Sequence, residues 1–401
     1  MWDRHLVSRA WSIAELRRLA KRRLPRGIFD FFDGGAEDEL SLNDNIQAFQ
    51  RLKLIPRPLV DVSSIDLSTL LLGRRSSLPV AIAPTGGPGF GRHGSDVAIA
   101  RAAVEAGIPY TLSTSATASI ERIAREAPGG RLWFQAYILK NREFLASLLN
   151  RALAADYDAL MITVDLPVGG KRERDAGNRI SFPFQFTARH FRDFAFNVRW
   201  LAGMARYGMP MVENLIGMET QATNAGRIAS SVGRSYDPSF DWDRLKRMRD
   251  EWPRRMIVKG ILHPMDADRL TSIGIDAIVV SNHGGRQLDG AIAPIDALPA
   301  IVEAVGGRAE VWVDGGVRRG SDIAKACALG ANAVMVGRAT LFGAFAGLEA
   351  GASRALTILT DELERTMQLC GARSIGEIDR GLLHEPSVPA SAVRRPFKEA
   401  R

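Results

Sequence analysis

A closed parallel barrel of eight strand–helix units is the fold this sequence predicts, and three observations predict it. First, eight short apolar runs recur from residue 79 onward: Val80–Ala83, Tyr110–Ser113, Leu132–Ala136, Leu160–Val164, Ile257–Val258, Ile278–Val280, Val311–Val313 and Val334–Val336. Runs of this kind suit strands buried on both faces. Second, they are mostly separated by helix-length stretches rich in Ala, Leu and charge. Alternating β and α at this count closes into a (β/α)8 TIM barrel. Third, no GxGxxG follows an early strand, which weighs against the open, doubly wound sheet that the same alternation allows. At 401 residues the chain can bury a core of barrel size.

Residues 1–78 precede the barrel as an N-terminal helical segment. Ser12-Ile13-Ala14-Glu15 forms a capping box, in which hydroxyl and carboxylate serve opposite orphan amides of a first turn. The helix it starts ends near Pro25, and its basic face reads as solvated, with lipid contact as the alternative. The barrel itself spans residues 79–385, and its rhythm breaks once. About 90 residues separate Asp165 from Met256, far more than a βα connection needs. They hold an insertion at about 182–240 after the fourth strand. From Arg189 to Arg234 it carries six arginines (Arg189, Arg192, Arg199, Arg206, Arg227 and Arg234) against Asp193, Glu213 and Glu219, among Phe, Trp and Met. Such a stretch fits a lid, an oligomer contact, an interfacial membrane segment or an ordinary excursion packed on the barrel. Residues 386–401 are Pro- and charge-rich and read as a flexible tail.

Composition narrows the class. Hydrophobic content of 46% and charged content of 24% are those of an ordinary soluble globular protein. A net charge of +8 favours anionic partners without choosing among membrane surfaces, nucleic acid and small anions. Two cysteines, Cys327 and Cys370, fit a reducing compartment and exclude a disulfide scaffold, with Cys327 expected in buried packing. The N-terminus has no signal-like apolar core, and nowhere do 18 apolar residues run together, so a cytoplasmic location is expected.

The chemistry gathers on loops after the barrel strands, where function collects in this architecture. The sixth run leads into Ser281-Asn282-His283-Gly284-Gly285-Arg286. A histidine and an arginine three residues apart suit proton transfer beside carboxylate binding. The plainer alternative has both side chains only satisfying backbone groups. The seventh and eighth runs end in Asp314-Gly315-Gly316-Val317-Arg318-Arg319 and Gly337-Arg338. Glycine turns expose amides and arginine adds a fork, a combination that fits phosphate. No metal site is predicted.

SNHGGRQLD resembles the active-site signature of the FMN-dependent 2-hydroxy acid dehydrogenases and oxidases, and among these the (S)-mandelate dehydrogenase branch. The likeness spans about residues 12–385. It implies FMN as cofactor and oxidation of an (S)-2-hydroxy acid, aryl and mandelate-like, to the 2-keto acid. It also implies a quinone or other carrier as electron acceptor, a homotetramer, and docking of the insertion on a membrane, peripherally on the inner face of the cell membrane. Nucleic acid is not an expected partner.

Residue by residue, the resemblance implies that the backbone of Pro84, Thr85 and Gly86 lies against the reactive edge of the flavin. Ser113, Gln135, Thr163, Lys259 and Ser281 would contact the ring, with the Lys259 cation stabilising its anionic reduced form. Asp314 would accept from a ribityl hydroxyl, and Gly316, Arg318, Gly337 and Arg338 would hold phosphate. His283 is the implied base, titrating near neutrality, with Asp165 as its orienting partner. Arg172 (by itself part of a solvated charge run), Arg286 and Tyr137 would hold the substrate carboxylate. Phe31 departs from the family, whose aligned tyrosine hydrogen-bonds that carboxylate while this segment packs over the barrel mouth. Whether the α-hydrogen leaves as hydride or proton stays open. So do an oxidase using O2, a lactate-type dehydrogenase, a flavin-free phosphate-binding barrel lyase or isomerase, and a basic protein without enzymatic activity.

Overall fold

The structure, a computed structural model, describes residues 2–178, 194, 197–218 and 236–384. Most of the basic insertion, including Arg189, Arg192, Arg227, Arg234, Asp193 and Glu219, lies outside the described residues, as does the tail from 385.

The N-terminal segment opens with α1 (Trp2–Ser8), α2 (Ile13–Arg23), α3 (Arg26–Asp33) and α4 (Leu40–Arg51). Ser12 caps α2 by accepting from the Glu15 amide at 3.2 Å, but the return bond of a capping box is not made. Glu15 pairs instead with Arg18 one turn on, leaving its second oxygen buried without a partner. The segment is not wholly helical: β1 (Thr69–Leu71) and β2 (Arg74–Ser76) form an antiparallel hairpin. Its tip places Leu71 and Leu72 against Ala81, Trp133, Trp312 and Ala333 inside the barrel, closing the end at which the strands begin. Only three residues long on each side of Leu72-Gly73, it carries too little periodicity to be seen in sequence.

The eight apolar runs are the eight barrel strands: β3 (Val80–Ile82), β4 (Tyr110–Ser113), β5 (Leu132–Tyr137), β6 (Ala159–Thr163), β7 (Arg255–Ile261), β8 (Ala277–Val280), β9 (Glu310–Val313) and β10 (Ala333–Val336). They pair in parallel and in chain order, and β10 closes on β3 through Val334 opposite Val80. Side chains alternate between the helix-facing and interior surfaces of each strand. The interior set includes Ala81, Trp133, Met161, Ile257, Val279, Trp312 and Met335. Trp133 and Trp312 stack across the barrel with ring centroids 4.9 Å apart, so the centre is packed rather than open.

Helices cover the outside: α5 (Pro88–Gly91), α6 (Ser95–Glu105), α7 (Ile120–Glu126) and α8 (Arg142–Ala154) follow β3, β4 and β5. After β6 come α9 (Glu173–Gly177), the described insertion helix α10 (Val198–Tyr207) and α11 (Trp242–Glu251), which leads into β7. Then α12 (Pro264–Ser272), α13 (Pro294–Val305), α14 (Gly320–Ala328), α15 (Arg338–Gly347) and α16 (Glu349–Cys370) complete the ring. Cys327 packs inside α14, and burial pushes its thiol up to about 12, which makes it inert. Among the described residues no helix is long and apolar enough to cross a membrane.

Candidate active site

Strand parity builds the floor of the site. Two residues beyond Trp133, Met161, Ile257, Val279 and Trp312, the same interior face presents Gln135, Thr163, Lys259, Ser281 and Asp314 at the carboxyl ends of the strands. With Ser113 they form two buried polar groups. In one, Ser113 Oγ donates to Gln135 Oε1 and Gln135 Nε2 donates to Thr163 Oγ1, each at 3.0 Å. In the other, Lys259 Nζ lies 2.7 Å from Asp314 Oδ2 and 2.5 Å from Ser281 Oγ. The second oxygen of Asp314 is buried without a partner. Ser113, Gln135, Thr163 and Ser281 lie behind the open cleft; Lys259 and Asp314 line it.

A register shift between Lys259 and Ile261 re-aims β7 at this level. Gly260 carries it at φ +109°, and a Cβ there would come within 2.6 Å of the Asp165 side chain. The missing side chain is what lets Asp165, two residues past β6, stand beside β7. Asp165 Oδ1 in turn lies 2.9 Å from His283 Nδ1. Burial alone would raise the Asp165 carboxyl, but His283 and Lys259 hold it below the usual carboxylate range. His283 adopts φ +59°, a left-handed conformation costly for a residue with a Cβ, and its amide donates to Ser281 Oγ at 3.0 Å. With Gly284 and Gly285 also left-handed, the backbone coils so that His283 and Arg286 both face the cleft.

The N-terminal segment roofs this cleft. Ala36 N–H donates to Gly285 O at 2.8 Å, Asp289 accepts the first amides of α4 at Leu40 and Ser41, and Asn45 and Asn282 exchange both amide bonds at 2.7–2.8 Å. Phe31 thereby lies against two cations, with the guanidinium carbons of Arg172 and Arg286 at 4.9 and 5.4 Å from its ring centre. The ring offers a quadrupole and no hydroxyl. Arg286 Nη1 donates to Phe31 O and Gly34 O, both at 2.9 Å, and Arg172 Nε pairs with Asp175 at 2.8 Å. Burial, with Arg172 and Arg338 close by, drives the Arg286 guanidinium well below its usual range. The cleft carries surplus positive charge. Tyr137 lines the same wall, tilted against Tyr236 at 4.9 Å.

At the other end of the cleft Pro84, Thr85 and Gly86 face Gly315, Gly316, Arg318, Gly337 and Arg338. Arg338 donates to the carbonyls of Phe32, Gly34 and Gly284 at 2.8–3.0 Å, so it also ties roof to barrel. Burial and mutual repulsion bring Arg338 down to about 10, and burial brings Arg318 to a similar value. Neither forms an ion pair among the described residues. Two desolvated cations above a glycine turn fit a phosphate dianion, and the orphaned Asp314 oxygen fits a hydroxyl donor beside it. Gly316 has a second reason to be glycine: at φ +87° a Cβ would meet Asn45 O at 2.0 Å, so the turn must also clear α4.

Every site residue singled out from sequence but Asp165 lines this cleft or belongs to the two buried groups beneath it; Asp165 stands against His283. Tyr236 and Asp175 went unseen. Tyr236 reaches the site by a single backbone bridge to Leu139, at the end of the insertion, where no periodic pattern marks it. Asp175 was one acid in a charge run and gains meaning only from its pairing with Arg172.

A histidine paired with a carboxylate, two further cations and an arginine-lined glycine turn share one barrel mouth, an arrangement that fits a small acid beside a phosphate-bearing cofactor. The profile of the family described as FMN-dependent dehydrogenase matches residues 20–385, and the chain belongs to that family. It is 41% identical to (S)-mandelate dehydrogenase of Pseudomonas putida, covering 95% of this chain and 96% of the relative. It is also 41% identical to L-lactate oxidase of Nostoc sp., covering 94% and 99% of the two chains. The crystal structure of the monotopic membrane protein (S)-mandelate dehydrogenase superposes with a TM-score of 0.91 at 40% identity, over 94% of this chain and 100% of that one. The protein is thus an FMN-dependent 2-hydroxy acid oxidoreductase.

Proposed function

We propose that the protein is a dehydrogenase of (S)-2-hydroxy acids with an aryl side chain, of which mandelate is the type, and that it passes electrons to a quinone or similar carrier. The observation that carries this reading is the His283–Asp165 pair in one cleft with Arg172, Arg286 and the Phe31 ring. Arg286 and Arg172 hold the substrate carboxylate, and Tyr137 donates a further hydrogen bond. His283 takes a proton from the carbon or the hydroxyl of the bound acid, and Asp165 stabilises the imidazolium that results. FMN, when bound, supplies the two-electron acceptor. The backbone of Pro84–Gly86, the Gln135 and Lys259 groups and Asp314 hold its ring and ribityl chain, while Gly316, Arg318, Gly337 and Arg338 hold its phosphate.

The aryl preference rests on the walls beyond the carboxylate site: Phe31, Phe90, Leu166, Val212 and Tyr236 form an apolar, aromatic enclosure. Phe31 makes a face for a ring where a hydroxyl would favour a smaller, more polar acid. Membrane docking is supported by α10 and the turn after it, which expose Val198, Tyr207, Met209 and Ile216, and by the likeness to a monotopic enzyme. A homotetramer in solution is the assembly that goes with this reading.

The test is anaerobic mixing of the purified holoenzyme with (S)-mandelate, (R)-mandelate or L-lactate while flavin absorbance is followed. Rapid bleaching with (S)-mandelate alone is expected. Fast bleaching by lactate with little by mandelate removes the aryl assignment, and rapid re-oxidation by air makes the protein an oxidase.

A further inference from the structure

A second cavity, of about 430 Å³, lies outside the cleft on the far side of one thin wall. Three pairs of near neighbours in sequence make that wall. Phe90, Ser115 and Val212 face the substrate cleft, while Gly89, Thr117 and Met211 face the second cavity. The partition is therefore α5 with the two loops packed on it, one side chain deep. Trp200 of α10 locks it by donating its indole N–H to Phe90 O at 3.0 Å.

We propose that this cavity is the electron-acceptor site of the enzyme and that it takes the ring of a lipid-soluble quinone. The proposal rests on the reading of the protein as a dehydrogenase. Four features select that occupant. The cavity is of ligand size and more apolar than polar, with Val97, Ala118 and Met211 among its walls and the Arg122–Glu213 ion pair, 2.7 Å, also lining it. Asp96 also lines it, 2% exposed, one oxygen bonded to Thr117 and the other buried with no partner among the described residues. His93 stacks on Tyr207 at 4.6 Å and 11°, a flat surface beside the opening against which a third ring can lie. Finally, the rim residues Tyr207, Met209 and Ile216 are exposed, so an isoprenoid tail leaves the cavity over an apolar edge.

Burial holds the Asp96 carboxyl up at about 6, so near neutral pH it carries a proton in a larger share of molecules than an ordinary carboxylate does. The chemistry balances without a further reagent. The hydroxy acid loses two electrons and two protons in becoming the keto acid, and the quinone gains two of each in becoming the quinol. A water-soluble acid and a membrane-soluble oxidant thus occupy opposite sides of α5 and never compete for one pocket.

The experiment compares the wild-type holoenzyme with Val97→Phe, which fills the cavity, and Asp96→Asn, which removes its proton. Steady-state turnover is measured with a decyl-substituted benzoquinone and with ferricyanide, a charged acceptor that has no use for an apolar cavity. Quinone binding is measured directly by calorimetric titration, and anaerobic bleaching by the hydroxy acid is followed in each variant. Val97→Phe is expected to lower kcat/KM for quinone by about tenfold or more and abolish the calorimetric signal, leaving ferricyanide turnover and bleaching unchanged. Asp96→Asn is expected to lower quinone turnover while quinone still binds. Undiminished quinone turnover or binding in Val97→Phe, or equal losses with both acceptors, overturns the proposal. If no hydroxy acid bleaches the wild-type flavin, the dehydrogenase reading fails instead, and the titration still reports on the cavity.

Discussion

Replacing His283 by alanine is expected to slow flavin reduction by a hydroxy acid about 10²- to 10⁴-fold, the usual contribution of a positioned base. Single-turnover bleaching in the stopped-flow reads this directly, because later acceptor steps do not enter it. Substrate binding should survive, since the proposed carboxylate contacts belong to Arg172, Arg286 and Tyr137, so KM changes little beside kcat. A variant retaining more than a tenth of the wild-type rate assigns the proton transfer to another group. Asp165→Asn removes the carboxylate that lies 2.9 Å from the imidazole and should produce a similar loss without emptying the cleft. The pair also bears on acid stability. Asp165 is held low in the folded state, so its contribution is complete above the ordinary carboxylate range and is lost as pH falls through the depressed folded value.

Arg286→Met should be almost as damaging, by a different route. Losing one partner of a buried, hydrogen-bonded charge pair costs about 2–5 kcal/mol, or roughly 30- to 5,000-fold in kcat/KM. The guanidinium is buried beside two other arginines, so in the free enzyme it is held at an electrostatic disadvantage that the substrate carboxylate relieves. That makes its worth to binding larger than its worth to the empty protein. Arg286→Lys keeps the charge but loses the fork, and should recover only part of the activity. Because Arg286 also holds the carbonyls of Phe31 and Gly34, the melting temperature of each variant must be followed alongside. A variant that melts as the wild type yet keeps its kcat/KM would place the carboxylate elsewhere.

The fold was legible because a parallel barrel writes itself as repeated apolar runs: all eight runs are strands, several accurate to within a residue or two. The hairpin β1–β2 was not, because a plug needs only two leucines at its tip and has no period to betray it. The site was legible where chemistry compresses into adjacent residues. His283 and Arg286 share one loop, and the glycine turns at 315–316 and 337 adjoin their arginines. It was illegible where it depends on approach through space. Nothing local says that Phe31 will lie against two guanidinium groups, that Gly260 clears room for Asp165, or that Glu15 will prefer Arg18 to its own cap. The cavity behind α5 was hidden for the same reason, since Asp96 in sequence is an ordinary acid in the first turn of a helix.

The two ends of the described chain are knitted together around the barrel. Leu54 bridges Leu383, Asp66 bridges Ser374, and Arg23 and Arg354 reach across to carbonyls of α15 and of the loop before α2. The last strand, β10, supplies the seam that closes on the first, β3. A chain emerging from the ribosome therefore holds its N-terminal roof and its earliest strands unsatisfied until the final helices have been made. His283, Arg286 and Arg338 come into register only once β10 and the helices after it have been made. A product cut short by premature termination would keep SNHGGRQLD intact and still be inactive, its open seam exposing strand edges to chaperones and proteases rather than cofactor to substrate.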